Sequence, residues 1–239
     1  MDDRGSQKPD SAPLEAPLEP DLPICDAHHH LWERPPQGYF LDDLLVDLRS
    51  GHNAISTVAV ECHYGYRKSS ADELKPVGEV EFLEAIASQV AATPAIATRI
   101  AAAIVGHANL TLGDAVAPVL EAHLAASPGR FRGIRHSTTW DASGALRSEA
   151  AQGLLADDSF CRGFAWLEKL GLSFDAWVYH QQLAEVAQLA RRFPGVTIIL
   201  NHIGAPLGVG PYAGKRDDVF QVWSRGITAI AGCPNVAVK

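Results

Sequence analysis

The sequence predicts an α/β protein with the architecture of a (β/α)8 TIM-type barrel that stops after about seven strands. Short apolar runs alternate along the chain with segments of helical spacing, which is the pattern of a parallel sheet covered by helices. Several of these runs end in histidine or arginine, and the sites of barrel proteins lie at the carboxyl ends of their strands. A seventh apolar run begins at Asn235, and the chain ends inside it at Lys239.

The first half of the chain predicts four strands separated by three helices. Four leucines between residues 41 and 48 recur at helical spacing, whereas the strands are short runs rich in apolar and β-branched residues. Residues 32–40 contain two prolines and a glycine and are predicted to form a loop. The elements are a strand ending in residues 25–30, a helix at 41–48, a strand at 55–62, a helix at 77–91, a strand at 100–105, a helix at 115–126 and a strand at 131–135.

The second half continues the alternation with three further strands. Gly171 follows one predicted helix in the manner of a helix C-terminus, and Pro194 ends the next helix. The elements are a helix at 157–170, a strand at 172–178, a helix at 181–193, a strand at 196–200, a helix at 217–231 and a strand from 235. The number of apolar strands favours a barrel, although periodicity alone leaves an open doubly wound sheet as an alternative. No GxGxxG turn follows a strand, so a dinucleotide-binding fold has no support.

The composition indicates one large domain preceded by a short tail. The chain has 239 residues, of which 47% are apolar and 20% are charged, and these values are ordinary for a globular protein. Residues 1–20 are rich in Pro, Asp, Glu and Ser, a composition that buries too little apolar surface to fold. We therefore expect a disordered tail at 1–20 and a C-terminally incomplete barrel domain at 21–239.

Charge and hydropathy exclude several classes of partner. The net charge of −8, with no stripe of Lys and Arg, argues against nucleic acid as a partner. No apolar run reaches the roughly 18 residues of a membrane span, and no signal peptide begins the chain. The four cysteines stand far apart, which is typical of reduced thiols. We expect a cytoplasmic protein that acts on a small molecule, and the exposed edge of an unclosed barrel leaves oligomer formation open.

The clearest candidate site is the histidine run that ends the first strand. Because side chains alternate between the two faces of a strand, His28 and His30 are expected to point the same way and His29 the opposite way. Two imidazoles on one face can share a metal ion or an anionic substrate. Without such a ligand the rings repel each other when charged and lose solvation when neutral. His28 and His30 are therefore predicted to be metal ligands.

Further candidates follow the later strands, and these strand ends converge at one mouth in a barrel. Eight of the ten histidines lie at or just beyond a predicted strand end. His202 follows the sixth strand, Asp175 lies in the fifth and His180 follows it, and we predict catalytic roles for these three. Arg135 ends the fourth strand and could hold a substrate carboxylate through its bidentate fork. Glu61, at the end of the second strand, either contributes to the site or pairs with Arg135 as part of the framework.

Five ordered blocks give the chain a family resemblance. They are Asp26-Ala27-His28-His29-His30-Leu31-Trp32, Val60-Glu61-Cys62 followed by Tyr66-Arg67, Phe131-Arg132-Gly133-Ile134-Arg135, Leu172-Ser173-Phe174-Asp175 and Asn201-His202-Ile203-Gly204. In this order they resemble the amidohydrolase superfamily. The similarity is to its amidohydrolase-related (amidohydrolase 2) branch, which contains 2-pyrone-4,6-dicarboxylate hydrolase and sugar-lactone hydrolases.

The resemblance implies a barrel that hydrolyses a lactone or a related cyclic ester. His28 and His30 match the HxH pair of the family's first strand, and His202 matches the histidine of its sixth strand. Arg67 and Arg135 could bind carboxylates of such a substrate, with Glu61 beside them. The metal content of the family varies, so zinc, manganese and no metal all stay open.

The family also supplies an aspartate after its eighth strand, and no residue of this chain matches it. Two alternatives to the hydrolase therefore remain. One is a zinc-dependent non-oxidative decarboxylase, since this branch of the superfamily includes such enzymes. The other is a truncated, non-catalytic remnant that binds a ligand or a partner, or has no function.

Overall fold

Seven parallel strands form the centre of the molecule. The computed structural model describes residues 16–239, and in this range the seven strands make an open half-barrel, accompanied by one two-stranded hairpin. The strands are β1 (Pro23–His29), β2 (Trp32–Arg34), β3 (Gln37–Tyr39), β4 (Asn53–Val60), β5 (Arg99–Gly106), β6 (Phe131–Arg135), β7 (Ser173–Ala176), β8 (Ile198–Leu200) and β9 (Val236–Val238).

The order of the strands identifies the architecture. In the large sheet the order is β1-β4-β5-β6-β7-β8-β9, so strands that follow one another along the chain are also neighbours in space. Every neighbouring pair is parallel. A doubly wound sheet would instead reverse its order at a switch point. The predicted α/β fold, an incomplete (β/α)8 barrel of seven strands, is therefore confirmed.

Six α-helices connect the strands within the described residues. They are α1 (Leu41–Leu48), α2 (Val77–Ala91), α3 (Ala117–Ala126), α4 (Asp158–Leu170), α5 (Leu183–Arg192) and α6 (Arg216–Ala231). Helix α4 begins where the Asp157 side chain accepts a hydrogen bond from the Phe160 backbone N–H at 2.8 Å, and it ends at Gly171 with φ of 65°. Both ends therefore follow from local capping, and the sequence predicts the end at Gly171.

Residues 32–40 depart from the prediction. They form the antiparallel hairpin of β2 and β3 rather than a loop, with Trp32 paired to Tyr39 and Arg34 paired to Gln37. The two prolines occupy the turn of this hairpin, where no backbone N–H is needed for the ladder. The two prolines correctly indicate the turn, but they led to the prediction of a loop where short strands lie on either side of that turn.

An aromatic cluster fixes the position of β7. Phe160 and Phe164 on α4 and Phe174 on β7 are fully buried. Phe174 meets both other rings edge to face, with centroids 5.1 and 6.1 Å apart. Burial of each such side chain contributes about 1.5–3 kcal/mol to folding. This packing holds the strand on which Asp175 faces the interior of the half-barrel.

Residues 1–15 of the predicted tail lie outside the described residues, and residues 16–20 contain no helix or strand. Across residues 16–239, no helix combines the length and the apolar character needed to cross a membrane.

Candidate active site

Three histidines meet at the carboxyl ends of β1 and β8. His28 Nε2 and His30 Nε2 are 3.1 Å apart, and the ring centroids of His28 and His202 are 4.8 Å apart. His29 points to the other face, where its Nε2 lies 2.9 Å from Thr57 Oγ1. The alternation expected from a strand therefore brings the first and third histidines together. His28, His30 and His202 are called the histidine cluster below.

The backbone fixes the tautomer of His30. Its Nδ1 lies 2.7 Å from the Val60 carbonyl oxygen, which only accepts, so Nδ1 carries the proton and Nε2 keeps its lone pair. Two nitrogen ligands of one zinc ion, each at about 2.0–2.1 Å, stand about 3.0–3.4 Å apart. The 3.1 Å between the two Nε2 atoms therefore suits a shared metal ion. It equally suits a hydrogen bond donated by His28 to His30.

Arg135 and Glu61 form a buried ion pair beside the histidine cluster. Arg135 Nε donates to Glu61 Oε1 at 2.6 Å, and Nη2 donates to the Glu61 backbone oxygen at 2.5 Å. The two side chains are only 11% and 3% exposed, so water screens their attraction weakly. Arg135 Nη1 lies 3.4 Å from His28 Nε2. The pair therefore holds a guanidinium against the histidine cluster.

Asp175 and Lys239 form a second buried ion pair. Lys239 Nζ donates to Asp175 Oδ2 at 2.6 Å and to the Ala27 carbonyl oxygen at 3.2 Å. Asn201 Nδ2 donates to the same oxygen of Asp175 at 3.0 Å. Through Ala27 the ammonium also connects the end of β9 to β1. Cationic groups at the ends of β6 and β9 therefore flank the histidine cluster.

Burial keeps the histidine cluster uncharged. It lowers the pKa of His28 to about 2, with Lys239, His30 and Arg135 acting in the same direction. Burial likewise lowers the pKa of His30 and, together with Arg135 and Lys239, that of His202. Near neutral pH the three rings are uncharged, so each can accept a hydrogen bond, a proton or a metal ion.

The turn after β8 holds His202 in an unusual backbone conformation. His202 and Ile203 both have φ of 50°, the left-handed region that costs a non-glycine residue about 1–2 kcal/mol. The Trp177 ring packs against the His202 ring with centroids 4.8 Å apart. The Ile203 N–H donates to the Lys239 oxygen at 2.9 Å, and Trp223 Nε1 donates to the Ile203 oxygen at 2.7 Å. These contacts hold the strained turn in place.

Two residues predicted for the site lie apart from the histidine cluster. His180 follows β7 as expected, but it is buried and its ring packs on Tyr212, with centroids 5.3 Å apart. Arg67 Nε donates to Glu81 Oε2 at 3.1 Å in an exposed ion pair. Within residues 16–239, neither makes a hydrogen bond or a ring contact with the histidine cluster.

A cavity of about 420 Å³ opens beside the buried ion pair of Arg135 and Glu61. Its lining residues are Arg34, Glu61, Cys62, His63, Arg135, Ser137, Arg147, Glu149 and Trp177. This volume suits a small molecule. A second cavity, of about 550 Å³, adjoins the amino ends of the strands near Arg99 and Arg130, away from the histidine cluster.

Sequence reasoning did not single out Lys239 or Trp177 as site residues. Lys239 directly follows β9, so the strand-end rule that found the histidines would have found it if extended to lysine. Trp177 directly follows β7, but its packing on His202 depends on how β7 and β8 are placed in the sheet.

Comparison with known proteins assigns the chain to a family. Residues 25–239 match the family model described as Amidohydrolase. This chain belongs to the amidohydrolase family. The resemblance drawn from the five sequence blocks is confirmed, and the histidine cluster of this chain lies where barrel proteins carry their sites.

Two relatives align over most of this chain. The protein y4mH of Sinorhizobium fredii is 28% identical over 241 residues, which cover 92% of this chain and 72% of y4mH. The L-fucono-1,5-lactonase of Burkholderia multivorans is 27% identical over 230 residues, which cover 90% of this chain and 66% of the lactonase. This chain therefore spans about two thirds of the lactonase.

A solved structure supports the fold. The crystal structure of an amidohydrolase from Burkholderia multivorans with bound zinc aligns with a TM-score of 0.64 and 24% identity. The alignment covers 90% of this chain and 68% of that chain. At this identity the likeness shows a shared fold, and a fold does not by itself determine function.

Proposed function

We propose that this member of the amidohydrolase family hydrolyses a lactone or a related cyclic ester. The observation that carries the proposal is the Arg135 guanidinium, which Glu61 holds with Nη1 3.4 Å from His28 Nε2. Ester hydrolysis builds negative charge on the carbonyl oxygen, and a fixed cation beside uncharged bases meets that need. The L-fucono-1,5-lactonase relative supports a lactone as the substrate class.

Arg135 is the proposed group that stabilises the developing oxyanion. Glu61 already engages Nε and Nη2 of Arg135, so the guanidinium is oriented before a substrate arrives. Nη1 is then available to donate a hydrogen bond to the lactone carbonyl oxygen. Preorganisation of this kind avoids the cost of reorienting a charged group during the reaction.

His202 is the proposed general base. Its lowered pKa keeps the ring uncharged, so it can accept a proton from the water that attacks the carbonyl carbon and return it to the ring oxygen as the ester C–O bond breaks. Asp175 is assigned to holding Lys239 through the 2.6 Å ion pair, because hydrolysis of a lactone releases a carboxylate that an ammonium attracts. The proposal gives no step to His180 or Arg67.

His28 and His30 are the residues that would hold a divalent metal ion. Their Nε2 spacing and the tautomer of His30 fit this role. Zinc or manganese bound there would supply Lewis-acid polarisation of the carbonyl group. The guanidinium of Arg135 opposes a cation at this position, so a metal-free site in which both imidazoles bind the substrate through hydrogen bonds is the alternative.

Hydrolysis of L-fucono-1,5-lactone and a panel of other sugar lactones by the purified full chain tests the proposal. We expect His202→Gln to lower kcat by about 10²- to 10⁴-fold, the usual contribution of a general base, while circular dichroism shows an unchanged fold. His52→Ala is the matched control, because His52 is exposed and precedes the amino end of β4, at the opposite end of the half-barrel. We expect it to retain wild-type activity.

Three results would contradict parts of the proposal. Undiminished kcat in His202→Gln would exclude His202 as the base. No turnover of any lactone by folded wild-type protein would reject lactone hydrolysis. Release of carbon dioxide from aryl or muconate-type acids, without lactone turnover, would instead support the decarboxylase. Elemental analysis of wild type and of His28→Ala/His30→Ala distinguishes the metal-dependent site from the metal-free one.

A further inference from the structure

A second group of ligand-type side chains lies beside the buried ion pair. One ligand atom each of Glu61, His63 and His107 falls within 4.8 Å of the others. Glu61 and His63 follow β4, and His107 follows the neighbouring strand β5. The parallel register of these two strands therefore brings the three side chains together. These three residues are called the second cluster below.

The carboxylate of Glu61 has one oxygen without a donor. Arg135 occupies Oε1, whereas Oε2 is buried and accepts no hydrogen bond from any residue in the range 16–239. His63 Nε2 lies 3.2 Å from Oε2 but without hydrogen-bond geometry. A buried charged oxygen without a partner is costly. A cation on Oε2 would remove that cost.

A backbone hydrogen bond orients His107 and fixes its tautomer. Its Nδ1 lies 3.0 Å from the Arg135 carbonyl oxygen, so Nδ1 carries the proton and Nε2 keeps a free lone pair. A hydrogen bond from the second ring nitrogen to a backbone carbonyl is the usual way in which metal-binding histidines are oriented.

His63 closes the second cluster from the solvent side. Its backbone has φ of 65°, a conformation that an L residue keeps only when the surroundings demand it. The ring stacks on Tyr66 and faces His107, with centroid distances of 5.8 and 5.4 Å. The side chain is 55% exposed and lines the 420 Å³ cavity. An ion held there would remain accessible to water and small molecules.

We propose that the second cluster binds a divalent transition-metal ion, zinc in the first instance, through Glu61 Oε2 and one ring nitrogen each of His63 and His107. Two imidazoles and a carboxylate are a donor set that zinc accepts, and three protein ligands leave one position open. Arg135 on Oε1 weakens the attraction for a cation, but it also fixes the carboxylate. The site is separate from His28 and His30 and requires no assumption about lactone hydrolysis.

Titration of the metal-free full chain with Co²⁺ alone tests this proposal, because the visible absorption of Co²⁺ reports its ligands without any activity assay. We expect a saturable band in wild type that His28→Ala/His30→Ala retains. His63→Ala should weaken binding by at least about tenfold, and Glu61→Gln should do the same. The His63 side chain is half exposed, so we expect His63→Ala to fold. His63→Ala therefore tests the proposal even if Glu61→Gln does not fold. His52→Ala controls for binding to an exposed histidine.

Each remaining outcome overturns the proposal. A band that survives unchanged in folded His63→Ala places the ion elsewhere. A band lost in folded His28→Ala/His30→Ala assigns the ion to the histidine cluster. A folded wild type with no saturable band binds no ion of this class at the second cluster. None of these results depends on whether the chain hydrolyses a lactone.

Discussion

Removal of the Arg135 side chain should destabilise the protein strongly, because it leaves a buried carboxylate without its cation. Arg135→Met leaves the Glu61 carboxylate, which is 3% exposed, without the cation that neutralises it. Breaking a buried pair in this way costs about 3–5 kcal/mol. For a chain of this size, 1 kcal/mol lowers Tm by about 2–4 °C, so the expected fall in Tm is about 6–20 °C.

A double-mutant cycle isolates the interaction between the two side chains. Glu61→Leu combined with Arg135→Met removes both charges, and replacing a buried pair by apolar groups is often close to neutral. We therefore expect the double variant to lose less free energy of unfolding than the two single variants lose in sum, by about 2 kcal/mol or more. Urea denaturation followed by circular dichroism measures each free energy of unfolding.

The exposed pair of Arg67 and Glu81 provides the matched control. Its side chains are 33% and 46% exposed, so the same cycle there should give a coupling of about 1 kcal/mol or less. The reasoning from burial would be refuted if the losses of stability at Arg135 and Glu61 were additive. It would also be refuted if the coupling energy of this pair were no larger than that of the exposed pair.

Two further predictions concern packing and pH. Gly163→Ala should destabilise the protein by about 1–3 kcal/mol, because a Cβ at this position of α4 would lie 2.1 Å from the Leu110 carbonyl oxygen. Gly129→Ala is the control, since a Cβ there meets nothing within 4 Å. Equal thermal stability of the two variants would contradict the prediction. Burial raises the pKa of Glu79 from 4.5 to about 7, so the folded state binds a proton that the unfolded state releases, and stability falls as pH rises between these values. Glu79→Gln removes this penalty, so its stability relative to wild type should improve by about 3 kcal/mol between pH 4.5 and 8 in urea denaturation; a constant difference across that range would argue against burial as the cause.

Elements with a strong local pattern could be predicted from the sequence to the residue. The bounds of α1, α2 and β6 agree with the apolar periodicity and the end signals. The hairpin of β2 and β3 was missed because its strands have three residues each, too few to show an alternation. The strand at 196–200 was predicted too long, and β8 begins at Ile198.

In the site, too, the contacts between neighbouring residues could be predicted from the sequence, whereas the contacts between distant residues could not. The meeting of His28 and His30 follows from the alternation of a strand, a property of neighbouring residues. The ion pair of Asp175 and Lys239 joins residues 64 positions apart. It forms because β7 and β9 flank β8, and this arrangement exists only in the folded sheet. Composition and periodicity carry no information about such a contact.

Glycine would occupy the backbone conformation of His202 without the energetic cost that histidine incurs there, since glycine reaches positive φ freely. The value of 50° at this residue therefore sets two selective pressures against each other. Selection of variants for thermal stability alone would favour glycine or asparagine at position 202, whereas selection for turnover would keep the imidazole if His202 is the base. Position 202 is thus a site where stabilising the fold and preserving catalysis are expected to conflict, as they often do at active sites.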